Sequence, residues 1–205
     1  ASRDPVEAYV HANDAAALAE ELGWDTGKAE VLNTLGALHT NAGAYEKALT
    51  AFQKCLEVCR TRGDGSGTAR ALRNIGVVQR RIGNTGEAFD YTRQSFEAAR
   101  EAGDSLSLAK ALVNLGNIEN QRNNHEAALS YFNLSRGIFQ RESDRFGESS
   151  VLNGMANAYQ QLGRLTQALR MYDQCLEVNR ARDDTRSVAS IRINIGDIHK
   201  KREDW

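Results

Sequence analysis

The chain has few of the residues that interrupt helices or cross-link chains. Pro5 is the only proline among 205 residues, so the composition suits long helices, because a proline in a helix interior breaks it. Three cysteines are too few for a disulfide framework, and buried free thiols in a reducing, cytoplasmic compartment are the favoured interpretation. No apolar run approaches the ~20 residues of a membrane-spanning helix. The 26 basic residues balance 27 acidic ones, which points to neither nucleic acid nor membrane insertion.

Motifs for catalysis, metals and cofactors are also scarce. The one glycine-rich loop, residues 63–67, has no Lys-Ser/Thr after it and no strand before it, which argues against a phosphate-binding loop. Cys55 and Cys59 lie four residues apart on one helical face, but no second pair completes a metal site. His39 and His199 share one repeat position, which favours packing over metal ligation. We therefore predict a chain that is not an enzyme and that has no catalytic residues, metal or cofactor.

What the sequence does contain is a repeat with a period of 40 residues. Glycine recurs at one position of this repeat, with alanine in its fourth copy: Gly36, Gly76, Gly116, Ala156 and Gly196. Alanine recurs at a second position: Ala48, Ala88, Ala128 and Ala168. Repeated small residues let two helices approach closely. A fixed period along the whole chain predicts a stack of similar units, which usually presents a long surface rather than one catalytic cleft.

Each unit has the pattern of two helices. In the third unit, Leu108, Leu112, Leu115 and Ile118 recur at spacings of three and four, which is typical of one buried helical stripe. A turn at 123–124 separates this stripe from a second one. The same turn carries glycine elsewhere, and glycine favours a helix C-terminus. Aspartates stand between the units and are predicted to cap the following helices: Asp64, Asp104, Asp144 and the pair Asp183–Asp184.

The period predicts where the units begin and end. We expect the second helix of an incomplete unit at 4–23, four complete units at 24–63, 64–103, 104–143 and 144–183, and the first helix of a fifth unit at 184–205. The chain then begins and ends inside a unit without polar capping helices, which predicts a piece of a longer array or multidomain protein. Asn123, Arg136 and Gly154 depart from the repeat, so the junction of the third and fourth units is predicted to be looser or kinked.

These spacings resemble the tetratricopeptide repeat. In the first unit, the family's signature spacings are occupied by Leu32, Leu35, Gly36, His39, Ala48 and Phe52, and in the fourth by Leu152, Ala156, Tyr159, Ala168 and Tyr172. The unit is longer than the usual one of about 34 residues, and it is similar to the 40-residue subtype found in Pins-type regulators, kinesin light chains and bacterial regulatory arrays. HEAT repeats have a similar period but lack this placement of glycine and alanine. The resemblance implies an all-α fold, a right-handed α-α superhelix of antiparallel helix pairs.

The resemblance also implies that the first helices line a concave groove. The face of these helices opposite the buried stripe carries basic and amide side chains: Arg70, Arg73, Asn74, Arg80, Arg81, Lys110, Asn114, Asn117, Asn120, Gln121, Asn153, Asn157, Gln160 and Asn194. An amide can both donate to and accept from a peptide backbone, and arginine forms charge-assisted hydrogen bonds to carboxylates. In the Pins-type family, the amides matching Asn74, Asn114, Asn117, Asn157 and Asn194 grip ligand backbone.

We therefore predict a protein-interaction module, a scaffold or adaptor, that binds an extended or partly helical acidic segment of a partner in this groove. Two alternatives stay open. The amides could instead bridge neighbouring helices, or the array could be a sensory, signalling region that controls an effector domain outside this chain.

Overall fold

The computed structural model describes residues 5–181 and 184–202. Within these ranges every regular element is an α-helix, which confirms the all-α prediction. The helices are α1 (Pro5–Glu21), α2 (Asp25–Asn41), α3 (Tyr45–Thr61), α4 (Gly65–Ile82), α5 (Thr85–Glu101), α6 (Ser105–Gln121), α7 (His125–Arg141), α8 (Arg145–Gln161), α9 (Leu165–Arg180) and α10 (Thr185–Arg202). Even-numbered helices are the first helices of the predicted repeat, and odd-numbered ones are the second helices.

The helices form two compact structural units, each of which is larger than one repeat. The N-terminal unit comprises residues 1–111 and the C-terminal unit residues 112–205, so that their boundary falls inside α6. In each unit, consecutive helices pack against each other along the chain. Three predicted positions lie outside the described residues: the start of the first helix at residue 4, the turn residue Asp183 and the end of the chain at Trp205.

The predicted aspartate caps are present at the first helices. The Asp64 carboxylate accepts a hydrogen bond from the backbone N–H of Gly67 at 2.8 Å, and the Asp144 carboxylate accepts one from Gly147 at 2.9 Å. Asp104 and Asp184 cap α6 and α10 in the same way. Each such cap stabilises the helix by about 1 kcal/mol, so these turns favour the start of a new helix every 40 residues.

The junction between α7 and α8 keeps the repeat geometry. Asn123 has a positive φ of 62° and Ser143 one of 56°, so both adopt the left-handed conformation that glycine has in the other turns, such as Gly83 with φ 102°. Gly154 is buried, and a Cβ on it would lie 2.6 Å from the Phe132 ring. The kink expected here is therefore absent from the helices themselves, since α7 and α8 are both uninterrupted.

Close contact between the two helices of a pair explains the repeated glycine. A Cβ on Gly36 would lie 2.5 Å from the ring of Phe52. At Gly76, a Cβ would meet the Thr92 hydroxyl at 2.5 Å and the Ala88 carbonyl oxygen at 3.1 Å. Since the second of these atoms belongs to the backbone, it has little freedom to move away. The two helices therefore approach until no side chain fits between them.

A second repeated contact crosses each pair. The Cys55 thiol donates a hydrogen bond to the carbonyl oxygen of Ala29 at 3.2 Å. The Ser95 hydroxyl, 40 residues later, donates to the carbonyl oxygen of Ala69 at 2.7 Å, and the Cys175 thiol donates to that of Ser149 at 3.3 Å. All three cysteines are buried and free, in agreement with the sequence prediction. A small side chain with one polar hydrogen thus links α3 to α2, α5 to α4 and α9 to α8.

Replacing Gly76 by alanine tests the close contact. The added Cβ has no room beside Ala88 and Thr92, so we expect Gly76→Ala to lower the free energy of unfolding by about 1–2 kcal/mol, as overpacked core substitutions do. The matched control is Gly137→Ala in α7, where a Cβ meets nothing within 4 Å. That variant gains helix propensity, up to about 1 kcal/mol. Denaturant unfolding of both proteins gives the comparison, and equal shifts of the same sign would contradict it.

The buried thiol of Cys55 predicts a loss of stability at high pH. Burial, and then the neighbouring Cys59, raise the pKa of Cys55 from 9.0 to about 12. The unfolded chain therefore releases this proton more readily than the folded chain, so the stabilisation is complete below pH 9 and is lost as pH rises from 9 to 12. Cys55→Ser keeps the donor, as Ser95 does, and removes the ionisable thiol. We expect its free energy of unfolding to fall less steeply over this range; an unchanged slope would exclude Cys55 as the cause.

Candidate functional site

The basic residues of the predicted groove lie together in the N-terminal unit. We call this set the basic face: Arg70, Arg73, Asn74, Arg80 and Arg81 on α4, with Lys110 on α6. Their spacing of three, four and seven residues places the α4 members on one side of the helix. The other side carries the buried Leu72, Ile75 and Val78. Arg81 is exposed, while the remaining five members are partly buried. Because one side of α4 is packed in the core, the basic side chains of α4 lie on its opposite side, away from the contact within the helix pair.

Asn74 joins two neighbouring first helices. Its side-chain N–H donates to the Asn33 side-chain oxygen of α2 at 2.7 Å. Its own oxygen accepts a hydrogen bond from the Arg73 guanidinium at 3.2 Å. At this position the amide bridges helices, which is the alternative that the sequence left open. Asn33 was not among the predicted site residues, although it lies 41 residues before Asn74, which is about one repeat.

The guanidinium groups of the basic face are only partly compensated. Arg73 donates to the Asn74 side-chain oxygen at 3.2 Å, and Arg81 donates weakly to the Thr40 carbonyl oxygen at 3.4 Å. The Nε atoms of Arg70 and Arg80 are buried and have no hydrogen-bond partner within the described part of the chain. Burial, and then the charge of Arg70, lower the pKa of Arg73, while Asp104 acts in the opposite direction. Burial followed by Arg81 likewise lowers the pKa of Arg80. These groups remain charged at neutral pH, so the face holds positive charge that a nearby anion would stabilise.

Amides occupy the corresponding face of the C-terminal unit. We call this set the amide face: Asn114, Asn117, Asn120 and Gln121 on α6, Asn153, Asn157 and Gln160 on α8, and Asn194 on α10. Gln121 and Asn157 are exposed, and the other six are partly buried. No member of this face carries a formal charge, so recognition here would depend on hydrogen bonds.

Some of these amides are held by neighbouring side chains. Asn120 donates weakly to the Gly154 carbonyl oxygen at 3.4 Å, and its oxygen lies 3.1 Å from Nδ1 of His125. The Tyr172 hydroxyl donates to the Asn157 oxygen at 2.5 Å and also bonds to the side chain of Asn194. These contacts fix the orientation of amides that sequence reasoning treated as free.

Tyr172 is a functional candidate that the sequence analysis missed. Its ring is fully buried, as a core prediction requires, but its hydroxyl reaches the amide face. Burial raises its pKa to about 12, so the hydroxyl stays a donor at neutral pH. The sequence did contain one sign of this role: Tyr172 has a hydroxyl at the repeat position at which Phe52 and Phe132 have none.

Other amides of the face have no partner. The side chains of Asn114, Asn117 and Asn153 make no hydrogen bond with any residue in 5–181 or 184–202. Each is partly buried, and each therefore presents a donor and an acceptor at the surface of a first helix. The face thus combines amides that are fixed by the protein with amides that are open to a ligand.

The repeated helix pairs, the capping turns and the two polar faces define a helical repeat protein. A family model described as "Tetratricopeptide repeat" matches residues 27–101 and 147–205. The chain belongs to the tetratricopeptide repeat family. No curated protein matches its sequence. No helix among the described residues is long and apolar enough to cross a membrane.

Solved structures with this fold are similar over most of the chain. BtubC (BKLC) from P. vanneervenii has a TM-score of 0.79 at 19% identity, over 98% of this chain and 84% of that one. The apo form of RapI has a TM-score of 0.80 at 15% identity, over 95% and 71%. The Rap conjugation gene regulator of plasmid pLS20, in complex with the Phr* peptide, has a TM-score of 0.75 at 20% identity, over 80% and 45%. At such identities the likeness shows the fold alone, a superhelical repeat.

Family membership supports a module for protein interaction or regulation. Arrays of this kind present an extended surface for partners and are typically non-catalytic scaffolds.

A pair of asparagine variants separates bridging amides from open ones. Asn74→Ala removes the hydrogen bonds to Asn33 and Arg73, so we expect the free energy of unfolding to fall by about 1 kcal/mol. Asn114→Ala, at the same repeat position, breaks no hydrogen bond and should change stability by only a few tenths. Thermal and denaturant unfolding give both values. If Asn114→Ala were the more damaging of the two, the assignment of roles would be reversed.

Proposed function

We propose that the chain is a protein-interaction module whose basic face binds an extended, acidic segment of a partner. The observation that carries this proposal is the cluster of five cations, in which Arg70 and Arg80 each have a buried Nε without a partner among the described residues. Both residues are partly exposed, so their other N–H groups can donate to a ligand. A segment rich in aspartate or glutamate would supply acceptors of opposite charge.

The energetics favour carboxylates as the recognised groups. A guanidinium and a carboxylate can form two parallel hydrogen bonds, each worth about 1.5–3 kcal/mol before desolvation costs. Folding has already removed much of the water from Arg70, Arg73 and Arg80, so binding dehydrates mainly the ligand. The lower dielectric around partly buried groups strengthens the attraction further.

The amide face of the C-terminal unit would hold backbone rather than charge. Asn114, Asn117 and Asn153 offer open donors and acceptors that match the N–H and C=O groups of an extended peptide. Asn157 and Asn194, which Tyr172 orients, lose little side-chain freedom on binding, and such preorganisation raises affinity. The Rap regulator that contains a bound Phr* peptide supports a peptide as the class of ligand.

Selection from a phage-displayed library of random peptides tests the basic face. We expect peptides retained by the wild-type chain to be enriched in aspartate and glutamate. Arg70→Gln combined with Arg73→Gln should weaken the selected peptides by about ten- to a hundredfold, because two charge-assisted bonds are lost. The loss should shrink at high salt, which screens the charges.

The matched control carries the same change of charge elsewhere. Arg62 and Arg93 are exposed and belong to a turn and to a second helix, so Arg62→Gln with Arg93→Gln should bind as the wild type does. Retained peptides without an excess of acidic residues, or equal weakening by both double variants, would exclude the basic face as the recognition site.

A regulatory function is the second candidate, with a cytoplasmic location kept as part of both proposals. It is favoured by the likeness to the Rap conjugation gene regulator, although this likeness shows the fold alone. In this case peptide binding would change the activity of an effector domain outside this chain. The test is to identify the domain encoded beside this one and to assay its activity with and without a selected peptide. If the peptide did not change that activity, the regulatory function would be excluded and the scaffold function would be retained.

A further inference from the structure

A cavity of about 220 Å³ opens between α8, α9 and α10 in the C-terminal unit. Small polar side chains form most of its walls, among them Ser150 and Asn153 of α8 and Ser190 of α10, and Cys175 and Asn179 of α9 form its floor. Phe146 and Ile191 add apolar surface. None of the lining residues carries a formal charge. The cavity adjoins the amide face, since Asn153 belongs to both.

The repeat explains why this cavity exists. Ser190 lies in the fifth unit, at the position that Arg70 has in the second unit and Lys110 in the third. In the N-terminal unit, Arg70 lies near Cys55 and Cys59, where its charge opposes the rise of their pKa values. Cys55 and Cys59 stand at the repeat positions of the floor residues Cys175 and Asn179. A long side chain therefore lies near the floor in the first repeat, whereas a serine leaves it uncovered in the fourth.

The floor contains an amide oxygen that no described residue bonds to. Asn179 is only 3% exposed, and its position holds Cys59, Ala99 and Phe139 in the other repeats. Its side-chain N–H donates to the Ser149 hydroxyl at 2.6 Å and to the Cys175 carbonyl oxygen at 2.7 Å. Because a carbonyl oxygen only accepts, this second bond fixes which end of the amide is the nitrogen.

The amide oxygen of Asn179 is left available. It receives no hydrogen bond from any described residue, and it is not among the atoms sealed away from solvent. Since water can bond to this oxygen, an occupant that displaces the water is favoured when it brings a donor of its own.

We propose that this cavity is a side-chain pocket for a tyrosine or tryptophan of the bound segment, whose O–H or N–H donates to the Asn179 oxygen. The proposal rests on the proposed function, since it assumes that a peptide segment lies on the amide face. The volume is below the roughly 300 Å³ at which pockets for whole drug-sized ligands begin, which suits a single side chain.

The chemistry of the walls narrows the choice of side chain. A charged side chain would be desolvated without a counter-charge, because the lining is neutral. Short polar side chains would leave Ile191 and Phe146 without contact. Tyrosine and tryptophan combine a large apolar ring with one polar hydrogen, and they therefore satisfy both the walls and the floor.

The same peptide selection tests the pocket with two variants. We expect peptides retained by the wild type to be enriched in tyrosine or tryptophan. Ser190→Arg places at this position the residue type that Arg70 has in the second unit, and it should abolish that enrichment. Asn179→Leu removes the acceptor at similar size, and it should shift the preference to phenylalanine or leucine. Circular dichroism and thermal unfolding verify that both variants fold, and Ser190 is exposed, so its replacement is mild.

A double-mutant cycle then isolates the hydrogen bond. If a selected peptide carries tyrosine, its phenylalanine version should bind the wild type about tenfold more weakly than the tyrosine peptide does. The two peptides should bind Asn179→Leu with equal affinity. For a peptide that carries tryptophan, a version with naphthylalanine takes the place of the phenylalanine version. Absence of aromatic enrichment, or an equal loss on both proteins, would overturn the pocket. Acidic enrichment without aromatic enrichment would overturn the pocket alone, whereas aromatic enrichment without acidic enrichment would overturn only the basic face.

Discussion

The close contact between the two helices of a repeat is the constraint on which the rest of this structure depends. At Gly36 and Gly76 the second helix approaches so closely that a Cβ has no room. The hydrogen bond from Cys55, or its counterpart in other repeats, to a first-helix carbonyl then fixes the rotation of one helix against the other. Once one side of a first helix is fixed against its partner, the orientation of the opposite side, which carries the proposed binding surface, is fixed as well. The basic face and the amide face are consequences of this packing, because their side chains are those that the pair cannot use.

The polar side chains on these faces divide into two kinds. Asn74 is engaged with Asn33 and Arg73, so its contribution is to align neighbouring first helices. Asn114 has no such partner, although it occupies the same repeat position. The difference shows that a shared position in a repeat does not imply a shared role. What decides the role is the residue one repeat away, which either offers a partner at hydrogen-bond distance or does not.

The sequence was sufficient to predict the helices and their order, because backbone geometry determines periodicity. The spacing of Leu108, Leu112 and Leu115 reflects the turn of a helix, and Asp64 caps the next one by a local contact. Local rules also explain why these departures from the repeat leave the helices unbroken: Asn123, between α6 and α7, and Ser143, between α7 and α8, both take the left-handed conformation of the turn glycines, at a modest cost.

Contacts between side chains from different helices were not predictable in this way. The bond from Tyr172 to Asn157 depends on how far a buried ring extends, and the cavity above Asn179 depends on four serines and Asn153 being short at once. Neither property is carried by any single residue, so neither appears in a pattern of spacing.

The caps of the first helices are local: the Asp144 carboxylate, for example, accepts from the backbone N–H of Gly147 three residues later. None of these caps involves a side chain of the basic face or the amide face. Mutation can therefore alter what a repeat recognises without disturbing how it folds, and each repeat can diverge at its own rate. The fourth and fifth units, which carry Ser150 and Ser190 where the second unit has Arg70, are what such divergence would leave behind: an inherited frame in which a new specificity costs the fold little.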